Sequence, residues 1–500
     1  MAKFIKTFFW IFSAIIFYSI IIAILFLIYK VNVEIFIVLV FLSYFLNALT
    51  TIVIFNQNRS ETSKLSWMLL IITFPLLGHL CYFTFGSKFR NKKEQKLIKN
   101  KQYYLQTYED YWQKYEYSRL EQLSKLNRAT FLKANYHFYH HPHNFFEDLF
   151  KQIKEAKRSI YLISYILKPG EILDTLCDLL LEKANQGVKI YWLIDDFGRG
   201  LVKPKYFVKL KKNHNVEIVF ISKVFYPFIH SQNFYRNHQK FYVIDNEIVF
   251  GGGCNISDEY VGLSKKYGDW VDLNYVLRGK HVNSYILLFL KYWKLWGPKK
   301  SILNQSSIKS LLNWKITDEN ENSLALLTHD SPVYNISKLE YNLLFLISIA
   351  RKKIRIATPY FSVPSSIINS LILALNSGVE IEIYFPGLPD KKIIWNTSLN
   401  ELKKLEEYGL KLYIYQNSFL HSKCGIIDDS IGFVGSSNMD MRSMYAQYEL
   451  LDIFTGEAVS QLNVIMNDYQ HNSYLHKENP IQNRKNLLAE TFYEGIKPLV

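Results

Sequence analysis

Cysteine is scarce in this 500-residue chain: Cys81, Cys177, Cys254 and Cys424 are the whole supply, and none forms a C-x-x-C pair. That excludes a disulfide framework and a cysteine-built zinc site, and it fits a reducing compartment. Acids are short too, with 44 Asp and Glu against 59 Lys and Arg, a formal net charge of +15. Asp, Glu, Lys and Arg are missing altogether from residues 8–29, 35–55 and 65–86. Each stretch is about a bilayer span in length. The first lacks a small-residue cleavage site and is followed at once by another apolar run, so it reads as a retained segment rather than a signal peptide. Pro75, Gly78 and His79 interrupt the third, which either spans with a kink or dips in and returns.

A basic chain permits nucleic-acid binding. No series of stacking aromatics or groove signature accompanies the charge here, however. The excess follows the last apolar stretch instead, in Lys88, Arg90, Lys92, Lys93, Lys96, Lys99 and Lys101, opposed nearby by Glu94. The positive-inside rule then puts everything downstream in the cytoplasm. Such a run also attracts anionic lipid, at roughly 1 kcal/mol per cation near the surface. Three spans would put the N-terminus outside and two inside, and Lys3 and Lys6 favour inside.

One pattern occurs twice. Residues 238–255, HQKFYVIDNEIVFGGGCN, and 421–438, HSKCGIIDDSIGFVGSSN, share the template H-x-K-x4-D-x6-G-[G/S]-x-N. The first supplies His238, Lys240, Asp245, Gly252, Gly253 and Asn255; the second supplies His421, Lys423, Asp428, Gly435, Ser436 and Asn438. On a strand, the two side chains of H-x-K project from one face. Apolar runs at 241–244 and 425–427 predict buried strands, the aspartates predict turns, and second strands follow at 248–250 and 431–434. The small pair at 252–253 or 435–436 lets backbone approach a ligand, with Asn255 or Asn438 aimed at the same place. Imidazole, ammonium and carboxamide over a glycine-rich floor suit a phosphate.

The flanks repeat as well. Residues 145–167 and 340–363 each run from an amphipathic helix into a strand, and 173–196 and 367–385 each give helix, glycine (Gly187, Gly378) and strand. The spacing drifts from 194 between Ala156 and Ala350 to 183 between the motif histidines, as loop insertions in a duplicated α/β domain would produce. Each motif is followed by one more acid, Asp272 in WVDLNYV and Glu449 in YELLDIF. A carboxylate on a neighbouring strand accepts a hydrogen bond from one imidazole nitrogen and fixes its tautomer. Residues 136–143, YHFYHHPH, read as an exposed turn ending at Pro142, not as a metal site.

The paired motifs resemble those of the phospholipase D superfamily. From about residue 35 to the C-terminus the chain is similar to the bacterial cardiolipin synthases within it. The likeness includes Trp67, Pro75, Gly78, Tyr82 and Gly86 in the membrane stretch, RNHQKFYVID, TPYFSVP, FLHSKCGIIDD and GSSNMDMRS. It implies N-terminal transmembrane helices followed by duplicated phospholipase D-like α/β/α sandwich domains with pseudo-twofold symmetry. The limits are 1–86 for the anchor, 87–135 for a basic linker, 136–300 for the first domain and 301–500 for the second. The implied reaction joins two phosphatidylglycerols into cardiolipin and glycerol through a phosphohistidine, on a multi-pass protein of the cell membrane. No cofactor, metal or nucleic acid takes part. Hydrolytic phospholipase D, another phosphatidyltransferase and, more remotely, a tethered nuclease share the motifs. The expected catalytic set is His238, Lys240, Asp245, His421, Lys423 and Asp428, with the two aspartates supporting the fold or the lysines. Asn255 and Asn438 are expected to bind phosphate, and Asp272 and Glu449 to orient the histidines. The resemblance favours His238 as nucleophile and His421 as acid and base; the residues themselves leave that choice open.

Overall fold

A computed structural model describes residues 19–481 apart from 21, 58, 60, 109–117, 203, 226–229, 264–268, 316–321 and 335. The chain divides into two compact units. Among the described residues, one contains those up to Arg90 together with Lys223–Tyr235, and the other contains Asn91–Ser222 and the residues from Arg236 to 481.

In the first unit the helix Val33–Phe55 is apolar on every side, with Val38 and Phe41 among its many exposed residues. Among the described residues it is the one helix long and apolar enough to cross a membrane. Its 23 residues reach about 34 Å at 1.5 Å each. Asn32 caps it by accepting the Ile35 N–H at 3.0 Å. The apolar stretch 8–29 lies outside the described residues as far as residue 18 and at residue 21; residues 22–29 belong to the helix Ile22–Val31. The third apolar stretch is broken. Helix Glu61–Thr73 stops before Pro75, Phe74 leaves helical geometry as pre-proline residues do, and Pro75–Cys81 resumes into a π turn at Tyr82–Gly86.

The residues that carried the membrane-stretch resemblance are packing residues. Trp67 and Tyr82 bury against Ile54 and Ile71, with their rings edge-on at 5.5 Å. A Cβ on Gly78 would lie 2.6 Å from the Leu70 carbonyl oxygen, and one on Gly86 would lie 2.7 Å from the Trp67 ring. Within the same unit Phe85 meets Phe234 edge-on, and the Ser87 and Ser231 hydroxyls are 2.6 Å apart.

The second unit is built on one continuous sheet, of which fourteen strands matter here. They are β1 (Leu132–Tyr139), β2 (Ser159–Ser164), β3 (Lys189–Asp195), β4 (Val216–Ile221), β5 (Phe241–Ile244), β6 (Ile248–Gly252) and β7 (Asn274–Arg278). Then come β8 (Ser323–Asp330), β9 (Lys353–Ala357), β10 (Glu380–Pro386), β11 (Lys411–Tyr415), β12 (Cys424–Ile427), β13 (Ile431–Gly435) and β14 (Gln447–Gly456). The order across the sheet is β4-β3-β2-β5-β6-β7-β1-β8-β14-β13-β12-β9-β10-β11. Read inward from β4 and from β11, which a short antiparallel strand Ser473–Leu475 flanks, the two halves have the same order: three parallel strands, then an antiparallel set carrying the motif. They join through an antiparallel pairing of β1 with β8.

Why these residues form these elements is visible locally. Helix Pro142–Glu155 buries Phe145, Phe146, Leu149 and Ile153 on one face and then gives way to β2. Helices Glu171–Asn185 and Ser365–Asn376 are followed by Gly187 and Gly378, whose φ values of 96° and 87° suit glycine. Near the seam Asp452 of β14 accepts hydrogen bonds from the hydroxyls of Tyr136 and Tyr285, both at 2.7 Å, and from His281 Nε2 at 2.8 Å.

Two expectations change. The stretch 136–143 is not one exposed turn: Tyr136–Tyr139 end the central strand β1, and the next helix starts at Pro142. Alternating burial along Leu132–Tyr139 marks a half-buried strand, which the clustered histidines mask in the sequence. The H-x-K segments also stand outside the strands, immediately before β5 and β12.

Candidate active site

The motifs sit where each half reaches into the other. The backbone sets this up. A short parallel pairing runs Arg236–Asn237 beside Gln447–Tyr448, so that the His238 N–H donates to the Tyr448 carbonyl at 3.0 Å. Reciprocally, Ser418–Leu420 runs beside Asp269–Val271, and the His421 N–H donates to the Val271 carbonyl at 2.6 Å. The residues following Tyr448 and Val271 are Glu449 and Asp272.

The side chains cross in the same way. His238 Nδ1 lies 2.8 Å from Glu449 Oε1, and His421 Nδ1 lies 2.6 Å from Asp272 Oδ2. Each imidazole is held by the carboxylate of the opposite half. With Nδ1 as donor to the acid, Nε2 is the nitrogen left for chemistry. Each acid rests on the floor of its own motif. Glu449 Oε2 accepts from the Ser436 hydroxyl at 2.5 Å, while a Cβ on Gly253 would sit 2.2 Å from Asp272 Oδ1. The template's G-[G/S] position thus seats the acid that serves the other histidine.

Lys240 and Lys423 are buried and donate to the carbonyls of His238 (2.5 Å) and His421. Tyr165 packs edge-on to His238 at 4.9 Å and lies under the Lys240 ammonium at 5.4 Å. Trp270, Phe419 and Tyr260 surround His421 at 5.1, 5.5 and 5.9 Å. This apolar jacket sets the electrostatics. Burial, then the charge of Lys240, holds His238 well below the usual imidazole range, with Lys423, His421 and Arg442 acting in the same direction. Burial and then Lys423 bring His421 down to about 4, against the opposing pull of Asp272. Burial lowers Lys240 to about 7, lowers Lys423, and lifts Glu449 to about 8. These shifts favour neutral imidazoles, as a nitrogen nucleophile requires.

Asp245 and Asp428 occupy the far ends of β5 and β12. Both are turn residues with φ near 50°. Asp245 accepts the N–H groups of Lys157, Arg158 and Ser159 at 2.7–2.9 Å, and Asp428 does the same for Arg351, Lys352 and Lys353. Each carboxylate fastens the motif hairpin to the start of the neighbouring parallel strand. Asp245→Ala or Asp428→Ala is expected to cost roughly 1–3 kcal/mol of stability, from lost acceptors and the left-handed backbone. Turnover per folded molecule should be preserved; denaturant unfolding beside specific activity checks this.

Asn255 accepts from Ile166 N at 3.2 Å and donates to the Tyr260 hydroxyl at 2.8 Å. Asn438 is buried with its Oδ1 unmatched, and its N–H donates to Ser443 Oγ. Sequence reasoning missed the buried ion pair of Arg236 with Asp195, 3.1 Å apart, although Arg236 begins the RNHQK segment. Asp195 also accepts the Asn237 N–H at 2.8 Å, bracing the approach to His238. Among the described residues no group of three or more His, Cys, Asp or Glu side chains is placed to hold a metal ion.

The arrangement has recognisable relatives. A family model described as "Cardiolipin synthase, PLD-like domain" matches residues 149–270 and again 343–469, and one described as phospholipase D-nuclease N-terminal matches 45–87. A cardiolipin synthase of Alkalihalophilus pseudofirmus is 32% identical over 420 residues, covering 80% of each chain. Cardiolipin synthase 2 of Bacillus cereus is 29% identical over 90% of this chain and 89% of its own. Among solved structures, the phosphatidylserine synthase of Haemophilus influenzae Rd KW20 superposes with a TM-score of 0.57 over 76% of this chain and 97% of its own. At 15% identity that likeness supports the fold alone. With both repeats matched and relatives aligned along four fifths of its length, the chain belongs to the cardiolipin synthase family of phospholipase D-like phosphatidyltransferases.

Proposed function

We propose that this chain transfers a phosphatidyl group from one phosphatidylglycerol to another, giving cardiolipin and glycerol. The observation that carries the reading is the crossed pair, His238 on Glu449 and His421 on Asp272. His238 Nε2 attacks phosphorus, the P–O bond to glycerol breaks, and His421 gives its proton to the departing oxygen. A glycerol hydroxyl of the second phosphatidylglycerol then returns a proton to His421 and attacks phosphorus, and the P–N bond breaks. Splitting one displacement into two lowers each barrier. Lys240 and Lys423, with the remaining amide hydrogens of Asn255 and Asn438, hold the non-bridging oxygens as charge develops. Asp245 and Asp428 hold the scaffold.

The seven-strand halves are read as a pseudo-twofold pair, with domains at 136–300 and 301–500 following a connector at 87–135. Residues 1–86 are read as a multi-pass anchor, with the catalytic domains on the cytoplasmic side. The Lys88–Lys101 run supports that orientation, and phosphatidylglycerol fits both the run and the relatives' printed names.

Purified protein in phosphatidylglycerol vesicles with EDTA is expected to yield cardiolipin and glycerol in equal amounts. Phosphatidic acid as the main product would make the enzyme a hydrolase, and strict dependence on an added divalent metal would sink this mechanism.

A pH dependence follows from the lowered imidazoles. Transfer needs one of them protonated, yet burial and the neighbouring lysines push both below their ordinary value. The protonated form of His421 is then the minority species above about pH 4, so kcat/KM should fall as pH rises from about 6 to about 8, by up to about tenfold per unit. A flat profile across that window would mean that the proton is already in place in the free site.

A further inference from the structure

The basic run from Lys88 to Lys101 carries one acid, Glu94, and that acid is 0% exposed. It lies on helix Lys92–Ile98, whose cap Asn91 accepts the Glu94 N–H at 3.2 Å. An acid in so basic a run would ordinarily sit among its cations in water; burial pushes its carboxyl pKa up instead. Such a placement is tolerated only when the carboxyl is fully bonded. Both its oxygens are taken: Oε1 accepts from the Ser331 hydroxyl and Oε2 from the Tyr448 hydroxyl, each at 2.7 Å.

Tyr448 is no ordinary partner. Its carbonyl accepts the His238 N–H, and its neighbour Glu449 holds the His238 ring. Its own ring is boxed edge-on by Tyr292 at 5.8 Å and Trp296 at 5.4 Å. The Tyr292 hydroxyl in turn receives Gln239 Nε2 at 3.2 Å, and the same Nε2 reaches the Glu449 carbonyl at 2.9 Å. Fixing the Tyr448 hydroxyl therefore fixes the strand end that carries both backbone and side-chain partners of His238.

We propose that Glu94 is a positioning residue for phosphatidyl transfer, clamping Tyr448 so that Glu449 is held in register with His238. Glu94 touches neither substrate nor reacting atoms. It acts through Tyr448, and the proposal rests on the transfer reading above.

The test uses the full chain in phosphatidylglycerol vesicles. Glu94→Ala and Tyr448→Phe are each expected to lower kcat about tenfold or more at unchanged KM, because the contact serves the transition state rather than lipid capture. Glu94→Gln should recover most of the rate, since its Oε1 can accept from Tyr448 and its NH2 can donate to Ser331 Oγ. The double variant Glu94→Ala/Tyr448→Phe should be no slower than the worse single one, as for two members of one contact. If Glu94→Ala does not fold, Tyr448→Phe, which loses a single oxygen, decides alone. A kcat within about twofold of wild type in Tyr448→Phe would overturn the proposal, as would Gln performing no better than Ala. Wild-type enzyme making no cardiolipin would instead overturn the functional reading, so the two failures are separable.

Discussion

His238→Ala should abolish cardiolipin formation, with a loss of at least about 10⁴-fold, because it removes the nitrogen that forms the covalent intermediate. His421→Ala should be as damaging with phosphatidylglycerol, but for a different reason. Its glycerol leaving group departs as an alkoxide unless it is protonated. A phosphodiester with a nitrophenol leaving group needs no such proton. With that substrate His421→Ala should regain release of the first product, while His238→Ala should stay inactive. Equal loss in both variants on the activated substrate would refute the division of labour, and regain in His238→Ala alone would reverse it.

The second large effect concerns the crossed acids. Glu449→Ala removes the carboxylate that fixes the His238 tautomer, and Asp272→Ala does the same to His421. Losing the acid behind a catalytic imidazole costs up to about 10⁴-fold when the wrong tautomer results, and about 10²-fold when orientation is partly retained. The informative feature is which histidine each acid follows. Glu449 lies in the second half yet should behave like His238, failing on both substrates. Asp272 lies in the first half yet should behave like His421, regaining first-product release on the nitrophenyl substrate. If each acid followed the histidine of its own half, the crossing would carry no catalytic meaning.

Much of this was legible in the residues. Spacing alone gave the duplication, since both halves repeat helix, glycine, strand and motif. The apolar runs 241–244 and 425–427 became β5 and β12 with those limits or within one residue of them. Both acids stand out after their motifs; Glu449 lies on β14 as the pattern predicts, whereas Asp272 falls in the short break between Asp269–Val271 and β7. Their exchange was not legible, because they meet their histidines across 149 and 211 residues and no local period reports such a contact. Nor does local pattern reveal the β1–β8 seam. The i, i+2 spacing of H-x-K predicts strand, whereas both segments fall just before their strands begin. In the sequence Glu94 is only the one acid opposing the basic run. Only the fold, by placing Tyr448 and Ser331 over it, gives it a use.

The same limits apply in the membrane unit. Pro75 announced the break, and the break occurs there. Charge-free length predicts two or three spans; the first stretch lies mostly outside the described residues, and of the other two only Val33–Phe55 is one helix long and apolar enough to cross. Length without charge measures compatibility with a bilayer. It does not measure helix continuity, which Phe74 and Pro75 interrupt.

The central claim is that the two imidazoles flank one phosphorus and act in succession. The most direct measurement is the stereochemistry at that phosphorus, using phosphatidylglycerol made chiral with one sulfur in place of a non-bridging oxygen. Two in-line displacements through a His238 adduct invert the centre twice, so cardiolipin should form with overall retention of configuration. Inversion would mean a single direct displacement by the acceptor hydroxyl, with no phosphohistidine on the path, and would contradict the account.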